Sequence, residues 1–437
     1  FGNEIFVGRK YFLASFVMML TEETEEMSCH VVGTCQQMCP IKEIDLRYEH
    51  NLLHILEITE ESRGKRSSQW EPDINKMVKE YQRPAAGKAR INPDMLRPAS
   101  VLLRTCHYLM SCATSQHNMP WSTVYGFVFD RLRAVRQDMV MQRIVGPAAI
   151  QILEMAVKFH VYSGYRLCEE KDVSKYDAHI NATHAIECMK RLLVMYENCD
   201  SANAVKNSPL FTALYLVYNL GCEEALFFCL NRINLFRDSQ EMKHALAICF
   251  AYSRRNYVRF LRLVYASSSL VQCALHRHLV KVNIEIMTIM SSAYSSKNLR
   301  FKTDDLTSIL KFDSQERTED LCRVTGQEVS EQGISFNKAS FTAPDRMEPF
   351  HLNWIDKKLN FEDLANFEGL TNFENDFEGL KISSQSSSMD DKRTSESSAN
   401  ETRTRNTDSM KGVNSSESKS RARGRGRARG RGRAVVN

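Results

Sequence analysis

No stretch of this chain is long and apolar enough to cross a bilayer. The longest candidate, Tyr11–Leu20, has ten residues, where a helical span needs about 20. No small-residue cleavage site follows it, so a signal peptide is not expected either. The catalytic fingerprints are missing as well: there is no G-x-x-x-x-G-K-[ST], no G-x-G-x-x-G, no H-E-x-x-H and no G-x-S-x-G. Those absences remove the phosphate-cradling, zinc-protease and serine-hydrolase readings, and no enzyme activity or cofactor is expected. The 13 cysteines are odd in number and follow no framework spacing, which fits free, buried thiols in a reducing compartment rather than a disulfide scaffold. Net charge is scarce outside one place. The net charge is +5, and Arg421, Arg423, Arg425, Arg427, Arg429, Arg431 and Arg433 alone supply +7, leaving −2 for the rest.

What is present is helix pattern. The stretch Gly33-Thr34-Cys35-Gln36-Gln37-Met38-Cys39-Pro40 ends a polar lead-in, and Pro40 suits a first helical turn because its missing N–H costs nothing there. Apolar residues at Ile41, Ile44, Tyr48, Leu52 and Ile55 then predict one helix over about 40–60. Cys35, Cys39, His50 and His54 mimic a zinc-finger spacing, C-x3-C-x10-H-x3-H. A continuous helix would put His50 roughly 16 Å from Cys39 along the axis, too far for four ligands to converge. Structural packing without metal is the expectation.

The octapeptide resembles the signature of the Sac-three/GANP family, which typically reads G-T-C-x-D-M-C-P-E-K-E-R. Gln37 replaces the usual Asp here, Ile41 the first Glu and Ile44 the Arg. Four further stretches match in the family's order: Val78–Lys88 (V-K-E-Y-Q-R-P-A-A-G-K), Leu96-Arg97-Pro98 with Val101-Leu102, Asp130–Asp138 (D-R-L-R-A-V-R-Q-D) and Tyr257–Val264 (Y-V-R-F-L-R-L-V). The R-P-A-A-G-K form and Tyr218-Asn219-Leu220-Gly221 look most like a short member of the family. The resemblance implies a scaffold near messenger RNA export at the nuclear pore. Its likeness to the short member implies centrosome duplication and spindle work instead.

Further along, Ile74, Met77, Val78 and Tyr81 predict a short amphipathic helix stopped by Pro84, and residues 84–98 an extended arm. Trp121, Val124, Tyr125, Val128, Leu132, Val135 and Met139 fall on one face of a long helix. Ser208-Pro209 opens a helix that Gly221 ends, and short helices continue to about residue 295. Such a succession suggests an α-solenoid. Leu306–Leu310, a second helix capped by Ser314, and strands Ile334–Phe336 and Ala339–Phe341 about an Asn337-Lys338 turn read as a winged helix. The fold class is therefore all-α: a PCI-type helical repeat, a winged-helix subdomain, then a disordered tail. The divisions are 1–32 lead-in, 33–298 helical domain, 299–345 winged helix, 346–380 acidic-aromatic linker motifs and 381–437 a Ser/Thr-rich and Arg-Gly tail.

Three basic segments are candidates for nucleic acid or an acidic partner. The tail arginines alternate with Gly or Ala, which suits phosphate contact without sequence choice. Arg131, Arg133 and Arg136 form a body cluster. Arg254, Arg255, Arg259 and Arg262 form another, with Tyr257 and Phe260 between them. The helix Gln315–Thr325 carries Glu316, Glu319 and Asp320, an acidity that favours a protein partner over DNA. Expected partners are a PCI-type protein and RNA, with no membrane insertion. Expected locations are the nucleus and cytoplasm, with the pore, centrosome or spindle implied by the resemblance. Cys35, Met38, Cys39 and Pro40 are expected to be structural.

Overall fold

Caps, glycines and prolines set most of the boundaries in this chain. The computed structural model describes residues 31–83, 92–115, 119–345 and 347–359, all within the unit Phe1–Thr371. The tail arginines, residues 1–30 of the lead-in, residues 84–91 of the expected arm and the motifs beyond residue 359 lie outside the described residues, and the rest of the expected 84–98 arm holds a short turn of helix, Pro93–Met95, with Leu96 and Arg97 buried after it. Among the described residues there are 13 α-helices and one two-stranded sheet, so the chain is all-α in class.

Helix α1 is Ile41–Glu49. The long helices α2 (Ala99–Ser115), α3 (Trp121–Met141), α4 (Pro147–Arg166) and α5 (Ala178–Glu197) follow. Shorter ones come next: α6 (Ser208–Tyr218), α7 (Glu223–Leu230), α8 (Gln240–Ser253) and α9 (Tyr257–Ala266), then the long α10 (Ser269–Ala293). Helix α4 is apolar on nearly every side, and such a helix must be buried. It packs against α2, α3, α5 and α10 and forms the centre of the main core. Gly146 supplies its N-cap at φ 85, with Pro147 in the first turn. Helices α6, α8, α9 and α10 then pack in succession, with α7 against α6.

The last elements are α11 (Thr303–Leu310), α12 (Gln315–Val324), β1 (Glu328–Ser330), β2 (Gly333–Ser335) and α13 (Asn353–Asp356). Ser314 caps α12 by accepting from Arg317 N, and Gly326 follows its end at φ 76, as the sequence predicts. The hairpin differs from expectation. Strands β1 and β2 pair antiparallel around residues 331–332, not about Asn337-Lys338. Asn337 N instead donates to Gln327 Oε1 at 2.7 Å, which turns the chain away after β2. Gly333 has φ 120 and lies so close to Phe301 O (2.4 Å from an added Cβ) that no side chain fits. That close approach admits the Phe301–Ile334 bridge.

Residues 347–359, expected to begin a linker, pack onto the body instead. Tyr165 of α4 donates to Asp356 Oδ1 at 2.8 Å and accepts from Leu352 N at 3.1 Å. His276 of α10 donates to Phe350 O at 2.8 Å, and Trp354 Nε1 donates to Lys311 O at 2.9 Å. The segment thus ties α4 and α10 to the α11–α12 pair.

Two expected helices are corrected. Helix α1 stops at Glu49, not near 60, because Asn51 takes a left-handed conformation (φ 56). Asn51 N and Leu52 N return to Tyr48 O and Arg47 O, a Schellman closure. Of the predicted apolar face Ile44 is buried, but Ile41, Tyr48 and Leu52 are 62%, 49% and 55% exposed, while the charged Glu43 and Arg47 face inward beside Ile44. The expected helix at 74–81 is a turn followed by an extended segment, in which Met77 and Val78 are fully buried. Its N–H groups find carboxylates instead of helical carbonyls. Val78 N donates to Glu57, Glu80 N to Glu43 and Tyr81 N to Asp130.

Candidate functional site

The octapeptide acts as a clip. Gly33 N donates to Gln142 Oε1 at 2.8 Å, Thr34 N to Pro93 O and Cys35 N to Leu96 O. Met38 O accepts from Lys79 N and from Arg97 Nη1. Pro40 stands at the N-cap of α1 rather than inside it, and its carbonyl accepts from Glu43 N and Ile44 N. Cys39 is buried with Ile44, Leu53, Ile58 and Met77 in a small core of its own, and burial raises its thiol far above the usual range. Cys35 Sγ meets Gln37 O, and His54 stacks on Phe127 at 4.8 Å. The four residues of the zinc-like spacing are thus engaged in packing and hydrogen bonds or stand apart. Among the described residues no cluster of His, Cys, Asp and Glu has metal-site geometry.

Around this clip lies an ionic core that sequence reasoning missed. Glu57, fully buried, pairs with both Arg47 and Arg131. Arg131 Nη2 also reaches Glu80 Oε1 at 2.8 Å, and its Nη1 reaches Asp130 at 2.9 Å. Asp138, also buried, binds Arg97 Nε at 2.8 Å and Lys79 Nζ at 2.7 Å. Of the three α3 arginines that looked like a basic cluster, Arg131 is therefore one side of a charge-matched seam. Arg131 is 4% exposed and held by three carboxylates, so it presents nothing to phosphate. Arg133 lies over the Tyr81 ring at 3.9 Å. Arg136 pairs with Glu187 at 2.9 Å, beside His184. Hydrogen bonds from His184 and Arg136 hold the Glu187 carboxyl down at about 2.

The second body cluster is arranged differently. Helices α8 and α9 enclose a groove of about 430 Å³, lined by Lys243, Leu246, Phe250, Arg254, Asn256 and Arg259. Lys243, Ala247, Phe250 and Arg254 succeed one another at helical spacing along α8, so they share its outer face. Between the helices Arg255 takes a left-handed turn (φ 55), closed by Asn256 N to Ala251 O at 2.9 Å. Asn256 then caps α9 by accepting from Arg259 N at 3.1 Å. That tight turn brings Arg254 and Arg259 to the same groove. Among the described residues no carboxylate pairs with Lys243, Arg254 or Arg259. Arg255 does pair, with Glu285, which raises its pKa. Arg262 is exposed one turn beyond Val258. Tyr257 and Phe260, the aromatics expected between the arginines, are 7% and 0% exposed and belong to the core. Phe250, 44% exposed, is the aromatic available in their place. It and Lys243 were missed, although their spacing from Arg254 on α8 was legible.

Four of the five stretches that carry the family resemblance meet at the ionic core, and the fifth, Tyr257–Val264, forms a wall of the groove. The SAC3/GANP family profile matches residues 38–331. The chain belongs to the SAC3/GANP family. SAC3 family protein 1 of Schizosaccharomyces pombe is 29% identical over 371 residues, covering 77% of this chain and 35% of that protein. SAC3 family protein B of Arabidopsis thaliana is 26% identical over 283 residues, covering 62% and 16%. Protein xmas of Drosophila melanogaster is 24% identical over 343 residues, covering 72% and 16%. The chain thus spans about a third or less of the length of these SAC3/GANP relatives. No helix among the described residues is long and apolar enough to cross a membrane.

Proposed function

We propose that this chain is a non-enzymatic SAC3/GANP scaffold that serves nuclear messenger RNA export and touches RNA through the α8–α9 groove and the arginine tail. The observation that carries the reading is a set of three cations, Lys243, Arg254 and Arg259, that have no carboxylate partner among the described residues and line one groove. The arginines of the ionic core, Arg47, Arg97 and Arg131, are matched by buried or half-buried carboxylates, whereas these three cations converge on one groove without them, where a polyanion would satisfy them. The open groove has an apolar floor with Phe250 accessible, which suits an unpaired base beside a phosphate.

The α11–α12–hairpin element is read as a winged helix that docks a PCI-type protein. Glu316, Glu319 and Asp320 on α12 support this, because a carboxylate face repels nucleic acid. Arg323 is drawn into pairs with Glu319 and Asp320 and offers no compensating positive face. The test is recovery from cells after ultraviolet crosslinking. RNA should be recovered with the intact chain and should fall when Lys243, Arg254 and Arg259 are each changed to Glu. Glu316→Lys with Asp320→Lys should instead release the protein partner. RNA recovery that is unaffected by the groove changes would refute the groove reading.

A further inference from the structure

The groove has a dual character: a cationic rim of Lys243, Arg254 and Arg259 over an apolar floor of Leu246, Ala251 and the accessible Phe250. A nucleic-acid strand uses the rim through phosphate and the floor through a base stacked on Phe250. A short peptide with a carboxylate next to an aromatic ring uses both as well. This chain repeats such a peptide, and the two copies that come first after residue 359 are Asn360-Phe361-Glu362-Asp363-Leu364 and Asn366-Phe367-Glu368-Gly369-Leu370. Together they carry three carboxylates and no cation, opposite in sign to the groove.

Their tether is on the right helix. Lys358 Nζ donates to Tyr265 O at 2.7 Å and lies 5.2 Å from the Tyr265 ring centre. Trp354 packs against the same ring, with centroids 5.3 Å apart. Tyr265 is in the last turn of α9, and Arg259 is in its first. Six helical residues separate them, about 9 Å along the axis. Phe361 is three residues past Lys358 and Phe367 nine, so extended chain reaches about 10 Å and about 30 Å respectively. The segment is thus held within reach of the groove at a high effective concentration.

We propose that the groove is occupied in cis by the acidic-aromatic segment Asn360–Leu370, with Phe361 or Phe367 on the apolar floor and the neighbouring glutamate on the rim. The segment then competes with any polyanion for the same three cations. This rests on the anion-binding reading of the groove and adds a regulator to it. A groove occupied two-thirds of the time by its own segment would show about threefold weaker affinity for an outside ligand.

The test uses the full chain, nuclease-treated, with Phe361 or Phe367 replaced by p-benzoylphenylalanine and irradiated. The expected result is an intrachain crosslink to residues 240–259, lost when Lys243→Glu and Arg254→Glu are combined. Crosslinks that map elsewhere, or that join two chains only, overturn the proposal. Because nucleic acid is absent, this readout is independent of whether the groove binds RNA. In parallel, Phe361→Ala, Glu362→Gln, Phe367→Ala and Glu368→Gln together should raise the affinity for a single-stranded oligonucleotide by about threefold. If the groove binds oligonucleotide and these changes leave the affinity as it was, the RNA reading stands and the cis segment does not.

Discussion

Helix α3 and the α8–α9 hairpin both display arginines at helical spacing, and the two sets meet opposite fates. On α3, Arg131 is buried against Glu57, Glu80 and Asp130. On α8–α9, Arg254 and Arg259 stand in solvent around a groove. The difference lies in what the rest of the chain delivers. The turn after α1 and the extended segment at 77–81 bring carboxylates onto α3, whereas the carboxylate delivered to the hairpin, Glu285, is taken by Arg255. Spacing on a helix shows that arginines share a face. Whether that face is a binding surface depends on carboxylates distant in sequence.

The sharpest way to break the comparison is to remove the carboxylate that Arg47 and Arg131 share. Glu57→Ala should leave the buried Arg47 with Glu80 at 3.4 Å as its remaining carboxylate, while Arg131 keeps Glu80 and Asp130, and should cost about 3–5 kcal/mol, as expected when one partner of a buried pair is removed. Arg254→Ala with Arg259→Ala should shift stability by no more than about 0.5 kcal/mol per site, as for exposed positions. Urea unfolding of the variants measures both. A Glu57→Ala loss below about 1 kcal/mol would put the two clusters in the same class.

Binding should show the reverse order. Lys243→Glu, Arg254→Glu and Arg259→Glu together should weaken single-stranded RNA binding tenfold or more at moderate salt. The slope of log affinity against log salt should fall by about 2, near 0.7 for each phosphate no longer neutralised. Arg133→Ala, whose guanidinium is stacked on Tyr81, should leave that slope alone. Oligonucleotide titrations at several salt concentrations decide it, and a slope lowered equally by both changes would dissolve the distinction.

The helical class and many boundaries were legible because local rules set them. Ser314 caps α12, Pro209 stands in the first turn of α6, and the Trp121–Met139 stripe lies on the inward side of α3. The region around α1 was misread for a physical reason. Ile41, Tyr48 and Leu52 have the period of a buried face, yet Glu43 and Arg47 are buried beside Ile44 in their place, because their hydrogen bonds to Glu80 N, Val78 O and Glu57 lie far along the chain. Period-based reading assumes that burial follows hydropathy, and a buried ionic network inverts it. The same inversion concealed the role of Arg131. The groove was half legible: Arg254 and Arg259 were visible as a cluster, but Tyr257 and Phe260 are core and Phe250 takes their place.

Acid should expose the ionic core before the groove. His54 lies against Phe127, and burial, with the nearby Arg131 charge, lowers its pKa from 6.5 to about 4. The folded form therefore holds the ring neutral while the unfolded chain binds a proton below about 6.5. The contribution of His54 is fully present above that pH and is lost as pH falls from 6.5 toward about 4. The limiting slope is about 1.4 kcal/mol per pH unit for one histidine. His54→Gln should be less sensitive than the parent to a fall from pH 7 to pH 5, by about 1 kcal/mol or more in urea stability. Equal acid sensitivity in the two proteins would mean that this imidazole titrates normally in the fold.

The smallest expected effect sharpens the comparison inside the hairpin itself. Arg255 was grouped with Arg254, Arg259 and Arg262 on spacing alone, yet it sits at φ 55 and its guanidinium is engaged by Glu285. A non-glycine residue in the left-handed region carries about 1–2 kcal/mol of strain, which glycine would relieve. The exposed pair it would give up contributes little in solvent, and glycine adds some freedom to the unfolded chain. These terms offset, so Arg255→Gly should change urea stability by less than about 1 kcal/mol. It should also leave oligonucleotide affinity within about twofold, because an arginine already paired releases few counterions on binding. Arg254 is unpaired and sits at an unstrained φ of −84, so Arg254→Gly should lose binding without any gain from relieved strain. If Arg255→Gly instead lowers affinity as much as Arg254→Gly does, Glu285 gives up its arginine on binding, and pairing in the free protein does not separate scaffold arginines from contact arginines.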